Sequence, residues 1–183
     1  MKKIFIIAII LIVATNLYFY VTHTGDDRTP YSDFRDRIGI APMKEYQDPT
    51  FGFTVKYPCF FHQEEKQEDD YQGHARFCYS KDVNIILESY VTRNLSPNLH
   101  ACADSLAQEL HAEKTKKDED SAFILSGPVY ENGVRIDGYS HYDKFIKSGK
   151  QLFVYSLSYP DSYKPTLSRL FQLIEDWRVL GAY

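Results

Sequence analysis

In the segment VRIDGYSHYDK, residues 134–144, a polar side chain recurs at every second position: Arg135, Asp137, Tyr139, His141 and Asp143. In an extended strand a period of two places all five on one face. The flanking segments carry Ser126, Ser156 and Ser158. A histidine among serines and an acid first suggests acyl transfer, with Ser156 as nucleophile and His141 as base. That chemistry needs a sharply exposed nucleophile and converging backbone donors for the oxyanion, and a serine in mid-strand has neither. Recognition is the better use. Tyr139 and His141 offer contact area with a polar edge, and Arg135 and Asp137 would orient a partner at the rim. The plainer alternative is that a helix partly covers this face and the polar residues fringe it.

Three cysteines, Cys59, Cys78 and Cys102, complete the reactive inventory. Cys59 closes the alternating segment FGFTVKYPC, and Cys78 lies in HARFCYS. As neighbours in a sheet they could form a disulfide across a loop of about 20 residues, and as separate core thiols they would not. Cys102 lies beside the apolar stripe of a helix and reads as a small buried thiol. None of the three has a histidine or oxyanion motif attached, so no catalytic cysteine is assigned. His100 and Asp104 are one helical turn apart, but Cys102 faces elsewhere and His111 is too distant. No metal site and no cofactor motif are predicted.

These residues must be positioned by a sheet. Residues 51–57 alternate apolar and polar up to Pro58, which predicts a strand. Residues 62–73 are an acidic loop, and 74–80 and 83–93 form a hairpin of two strands. Leu99, Ala103, Leu106 and Leu110 make one helical stripe, with Ser96 or Asn98 as its cap. Asn132-Gly133 and Ser148-Gly149 then punctuate 122–159 into a three-stranded meander. Tight turns there set Leu125 opposite Ser140, Phe123 opposite Tyr142, Tyr142 opposite Tyr155 and Gly138 under Tyr159. Phe123, Leu125, Tyr142, Tyr155 and Leu157 would then share one apolar face. Leu167, Leu170, Phe171, Ile174 and Trp177 follow helical spacing at the end of the chain. The order predicts an α+β domain: a six-stranded antiparallel sheet with helices packed on it.

The opening FGFTVKYP, the strand and turn ILSGPVYENG, and YSLSYPDS running into an amphipathic helix resemble the PsbP-like α/β/α sandwich over residues 51–177. That family includes a photosystem II extrinsic protein, a Ran-binding nuclear import factor and many exported bacterial proteins. The resemblance implies the sandwich fold. The functional motifs of its photosynthetic and Ran-binding members have no match here, so it implies no site residues.

The compartment is read from MKKIFIIAIILIVATNLYFYV. Two lysines precede an apolar run over 4–21 that would span about 27 Å as a helix, close to the thickness of a bilayer. Residues 1–23 are therefore expected to be a single-pass membrane anchor, with cleavage as a signal peptide the alternative. Lysines at the start keep that end cytoplasmic, so the domain faces the periplasm or exterior. Residues 24–49 read as a polar tether holding one short helix over 32–38 capped by Ser32, with partial packing on the domain as the alternative, and 50–183 as the domain. A net charge of −4 excludes a nucleic-acid footprint. The expectation is a membrane-anchored binding domain contacting another envelope protein. A small-ligand carrier with an internal pocket and a hydrolase using the polar face are the alternatives.

Overall fold

The computed structural model describes residues 29–65, 72–81, 83–115 and 121–179. The expected membrane segment lies outside these, and among the described residues no helix is long and apolar enough to cross a membrane. The chain divides into two units, Met1–Asp33 and Phe34–Tyr183. Of the first, residues 29–33 are described and contain the opening of helix α1 (Pro30–Ile40). Proline suits a first helical position, and Thr29 Oγ1 accepts the Ser32 amide at 3.3 Å. The capping side chain is thus Thr29, one turn before the expected Ser32.

The second unit begins earlier than the sequence suggests. Residues 34–49, expected as tether, belong to it. Phe34 and Ile38, one helical turn apart, are buried, with Phe34 against Tyr79 at 5.0 Å and Tyr163 at 5.5 Å. Strand β1 (Met43–Gln47) then pairs antiparallel with β2 (Thr54–Pro58) in a small sheet of two. β2 is the expected opening strand, but it does not join the main sheet.

That sheet has seven strands among the described residues, in the order β3-β4-β5-β9-β8-β7-β6. These are β3 (His62–Gln63), β4 (Ala75–Tyr79), β5 (Ile85–Arg93), β6 (Glu113–Lys114), β7 (Ala122–Glu131), β8 (Val134–Ser148) and β9 (Gln151–Pro160). Helix α2 (Leu99–Glu109) connects β5 to β6, and Asn98 caps it by accepting the Ala101 amide at 2.8 Å. A 3-10 turn (Asp161–Thr166) and helix α3 (Ser168–Glu175) close the described chain.

The expected meander is present, but its register is corrected twice. Tyr130 pairs with Arg135, as a tight turn at Asn132-Gly133 requires; beyond it Pro128 pairs with Ser140 and Leu125 with Asp143. A bulge absorbs the extra residues of β8 opposite Val129. Gly138 supplies the positive φ of +74° there, and Pro128 has no amide to donate to a regular ladder. The resulting offset of three is odd, so Phe123 and Leu125 turn to the other side of the sheet from Tyr142. In the second hairpin Ser148 pairs with Gln151, so the turn residues are Gly149 and Lys150. That offset is even and leaves Tyr142, Phe153, Tyr155, Leu157 and Tyr159 together. Gly138 is exposed in the bulge rather than lying under Tyr159, which instead pairs with Ser140 and meets Phe171 at 5.5 Å.

The two faces are covered unequally. On one, the part of α1 from Phe34 onward, the β1–β2 pair and α3 pack on the aromatic residues: Tyr57 stacks on Phe77 at 4.0 Å and Phe171 meets Tyr142 at 4.8 Å. Arg169 of α3 also donates to the Ile38 and Ala41 carbonyls at 2.9 and 2.8 Å, closing the C-terminal end of α1. On the other face α2 covers Phe123, Leu125, Phe145, Leu152 and Val154 through Cys102 and Ala103.

Candidate functional site

The register continues the polar face of β8 across five strands. Asp143 pairs with Ser156, Ser156 with Glu88 and Glu88 with Arg76. One rung along, His141 pairs with Ser158, Ser158 with Ile86, Ile86 with Cys78 and Cys78 with His62. Directly opposed residues in antiparallel strands share a face, so this is one polar band beside the apolar patch under α2.

At its β8 end lies a cleft of about 340 Å³. His141, Asp143, Ser156 and Ser158 form the floor, with Glu109, Leu110 and His111 on one side and Pro128, Val129 and Tyr130 on the other. His111 ends α2 in the left-handed region at φ +50°, and its ring lies 4.6 Å from that of Tyr130. The walls meet at Gly127, where an added Cβ would stand 3.0 Å from Ala112 Cα and 3.1 Å from the His111 carbonyl oxygen. Gly127→Ala must push the 111–112 backbone off β7. It is expected to cost about 1–3 kcal/mol in urea denaturation and to shift the His111 and Tyr130 NMR resonances.

Asp143 organises the floor. Ser156 Oγ donates to its Oδ1 at 2.5 Å, and His141 Nδ1 lies 2.7 Å from its Oδ2. An ionised carboxylate only accepts, so Nδ1 carries the proton and donates. In the neutral ring Nε2 is then the acceptor. His141 and Asp143 are each 7% exposed, and His141 Nε2 is buried with no hydrogen-bond partner among the described residues. A serine hydrolase needs serine bonded to histidine and histidine to the acid. Here the acid lies between the other two, so Ser156 is held by Asp143 and not aligned on His141.

The four candidate partner-binding residues separate. Arg135 and Asp137 are exposed at the bulge, and Tyr139 is half-buried opposite Pro160. Only His141 reaches the cleft, as a buried floor residue rather than the exposed anchor expected. Sequence reasoning put Asp143 and Ser158 on or beside the polar face without giving Asp143 its bridging role, and it did not single out the walls from α2 and β7. For Asp143 and Ser158 the two-residue period was the available signal; for His111 there was none.

Cys59, Cys78 and Cys102 are free thiols in the structure. β2, which precedes Cys59, lies in the small sheet, so the two cysteines are not on adjacent strands of one sheet. Cys78 Sγ instead donates to Glu64 Oε1 at 3.1 Å. Burial, reinforced by the Glu64 carboxylate, pushes its pKa up to about 12. Cys102 is buried as expected and is also raised by burial. On α2, His100 lies 3.4 Å and Lys114 2.9 Å from Asp104, and the Lys114 hydrogen bond holds that carboxyl below its usual range.

A seven-stranded antiparallel sheet with helices on either side has the PsbP-like α/β/α architecture. Among solved structures, the solution structure of cyanobacterial PsbP (CyanoP) from Synechocystis sp. PCC 6803 matches with a TM-score of 0.50. It is 16% identical in sequence, and the match covers 76% of this chain and 93% of that one. At that identity the likeness shows the fold alone. No protein-family model and no curated protein sequence matches the chain.

Proposed function

We propose that this chain is a membrane-anchored binding module whose domain lies outside the cytoplasm and engages another envelope protein through the β7–β8 cleft. The observation that carries this reading is the floor of the cleft, where His141 Nε2 is buried with no hydrogen-bond partner among the described residues. A buried acceptor left unmatched costs about 1–3 kcal/mol, which a partner's donor would recover on opening the cleft to reach it. Asp143 fixes the ring for that role, and the acceptor-rich floor favours a group with N–H donors. The anchor rests on the apolar run over 4–21 and its lysines, and the PsbP-like fold is compatible with export. Catalysis is disfavoured because Ser156 and His141 each bind Asp143 instead of one another.

A photoreactive residue in place of Tyr130, which is exposed at the cleft wall, tests the reading. Irradiated cells should yield an adduct with one envelope protein, while the same group in place of Lys164, exposed on the 161–166 turn, should yield none. Equal adducts from both positions, or none from position 130, would overturn it. The second reading, a small-ligand carrier, is favoured by a cleft of about 510 Å³ lined by Tyr90, Cys102, Leu106, Phe145 and Leu152.

A further inference from the structure

At the far end of the polar band, three metal-ligand types converge on the sheet edge. His62 pairs directly with Cys78, and the Glu64 amide donates to the Arg76 carbonyl at 2.9 Å. The ladder therefore carries His62, Glu64 and Cys78 on one face. Their imidazole nitrogen, carboxylate oxygen and sulfur all lie within 4.8 Å of one another. We propose that His62, Glu64 and Cys78 bind one thiophilic divalent cation, with Zn²⁺ the best match.

The donor set selects the ion. Nitrogen, oxygen and sulfur together suit a borderline-soft cation, whereas Ca²⁺ and Mg²⁺ require oxygen shells. Around tetrahedral zinc, donors about 2.0–2.3 Å from the metal stand roughly 3.3–3.8 Å apart. His62 and Glu64 are exposed side chains, so rotation alone closes the set around buried Cys78. The Cys78 thiol proton now lies between sulfur and Glu64 Oε1, at 3.1 Å. On binding, the S–H bond breaks, an S–Zn bond forms and the proton leaves to solvent, with no change of oxidation state. Arg76 Nε lies 3.3 Å from Glu64 Oε2 as an ion pair without a hydrogen bond, on the oxygen away from Cys78, which leaves Oε1 to the metal. Three protein ligands leave a fourth position for water or a further donor.

The test uses the purified full-length chain, stripped of metal and kept reduced. Zn²⁺ titrated by calorimetry should bind with one ion lost on mutating this site, and Co²⁺ should give a thiolate-to-metal charge-transfer band in the near ultraviolet. Cys78→Ser should abolish the band. His62→Ala and Glu64→Gln, at exposed positions that leave the fold intact, should each weaken Zn²⁺ binding by at least about tenfold, since even outer-sphere partners cost that much. Cys59→Ser and Cys102→Ser should change neither signal. Absence of the band, its survival in Cys78→Ser, or unchanged affinity in His62→Ala would overturn the proposal. So would a Cys59–Cys78 crosslink in peptide maps of protein from its native compartment, because that disulfide removes the thiolate ligand.

Discussion

Trp177→Ala is expected to destabilise the domain by about 3–5 kcal/mol. Trp177 follows α3 and is 6% exposed, with its ring 5.5 Å from Tyr155 and 6.0 Å from Phe53. Its indole Nε1 donates to the Thr54 carbonyl at 2.9 Å, so one side chain fastens the start of β2 to the main sheet. Alanine removes that packing and also leaves a carbonyl unpaired. For a domain of this size the melting temperature should fall by roughly 10 °C or more. Trp177→Phe should restore much of the packing but not the hydrogen bond, and so lie between the two. A loss under about 1 kcal/mol in the alanine variant would mean that this side of the sheet is not packed as described.

His141→Ala is expected to cost about 3 kcal/mol, because it strands a buried Asp143 carboxylate with one donor fewer. The diagnostic is a double-mutant cycle with Asp143→Ala by urea denaturation. The pair should be coupled by more than about 1 kcal/mol, the double variant losing less than the sum of the single ones. Strict additivity would show that the imidazole and the carboxylate act independently. By contrast, Arg135→Ala and Asp137→Ala should change stability by less than about 0.5 kcal/mol, since both side chains are exposed. The comparison separates residues that only share a sequence period from those that share an environment.

Periods and turn residues made much of the fold legible. Alternation in 74–80 and 83–93 matches β4 and β5, and the stripe from Leu99 to Leu110 with Asn98 before it matches α2. The resemblance read from FGFTVKYP, ILSGPVYENG and YSLSYPDS agrees with the architecture. β1 escaped because MKEYQ has no apolar alternation; its five residues pair at the edge of a small sheet and none is fully buried. The register beyond Pro128 was lost at a bulge whose size a Gly-Tyr pair does not announce. The site failed for a different reason. The period of two found His141 and Asp143, but the serine opposite each was misplaced by the two-residue shift of the β8–β9 turn to Gly149-Lys150. What covers them depends on where α2 ends, a long-range fact that local spacing does not carry.

The strand order also has a consequence for how the chain is made. β9 follows the other six described strands of its sheet in the chain, yet it fills the gap between β5 and β8, pairing Ile86 with Ser158 and Tyr142 with Leu157. Until residue 160 has emerged, β3–β4–β5 and β6–β7–β8 are two separate fragments, each with an unsatisfied edge facing its missing neighbour. No earlier segment can join them, so sheet closure waits for the C-terminal quarter of the chain. A nascent chain of this topology has no closed sheet until its final hairpin arrives. Truncation before β9 should leave two sticky half-sheets rather than a smaller domain.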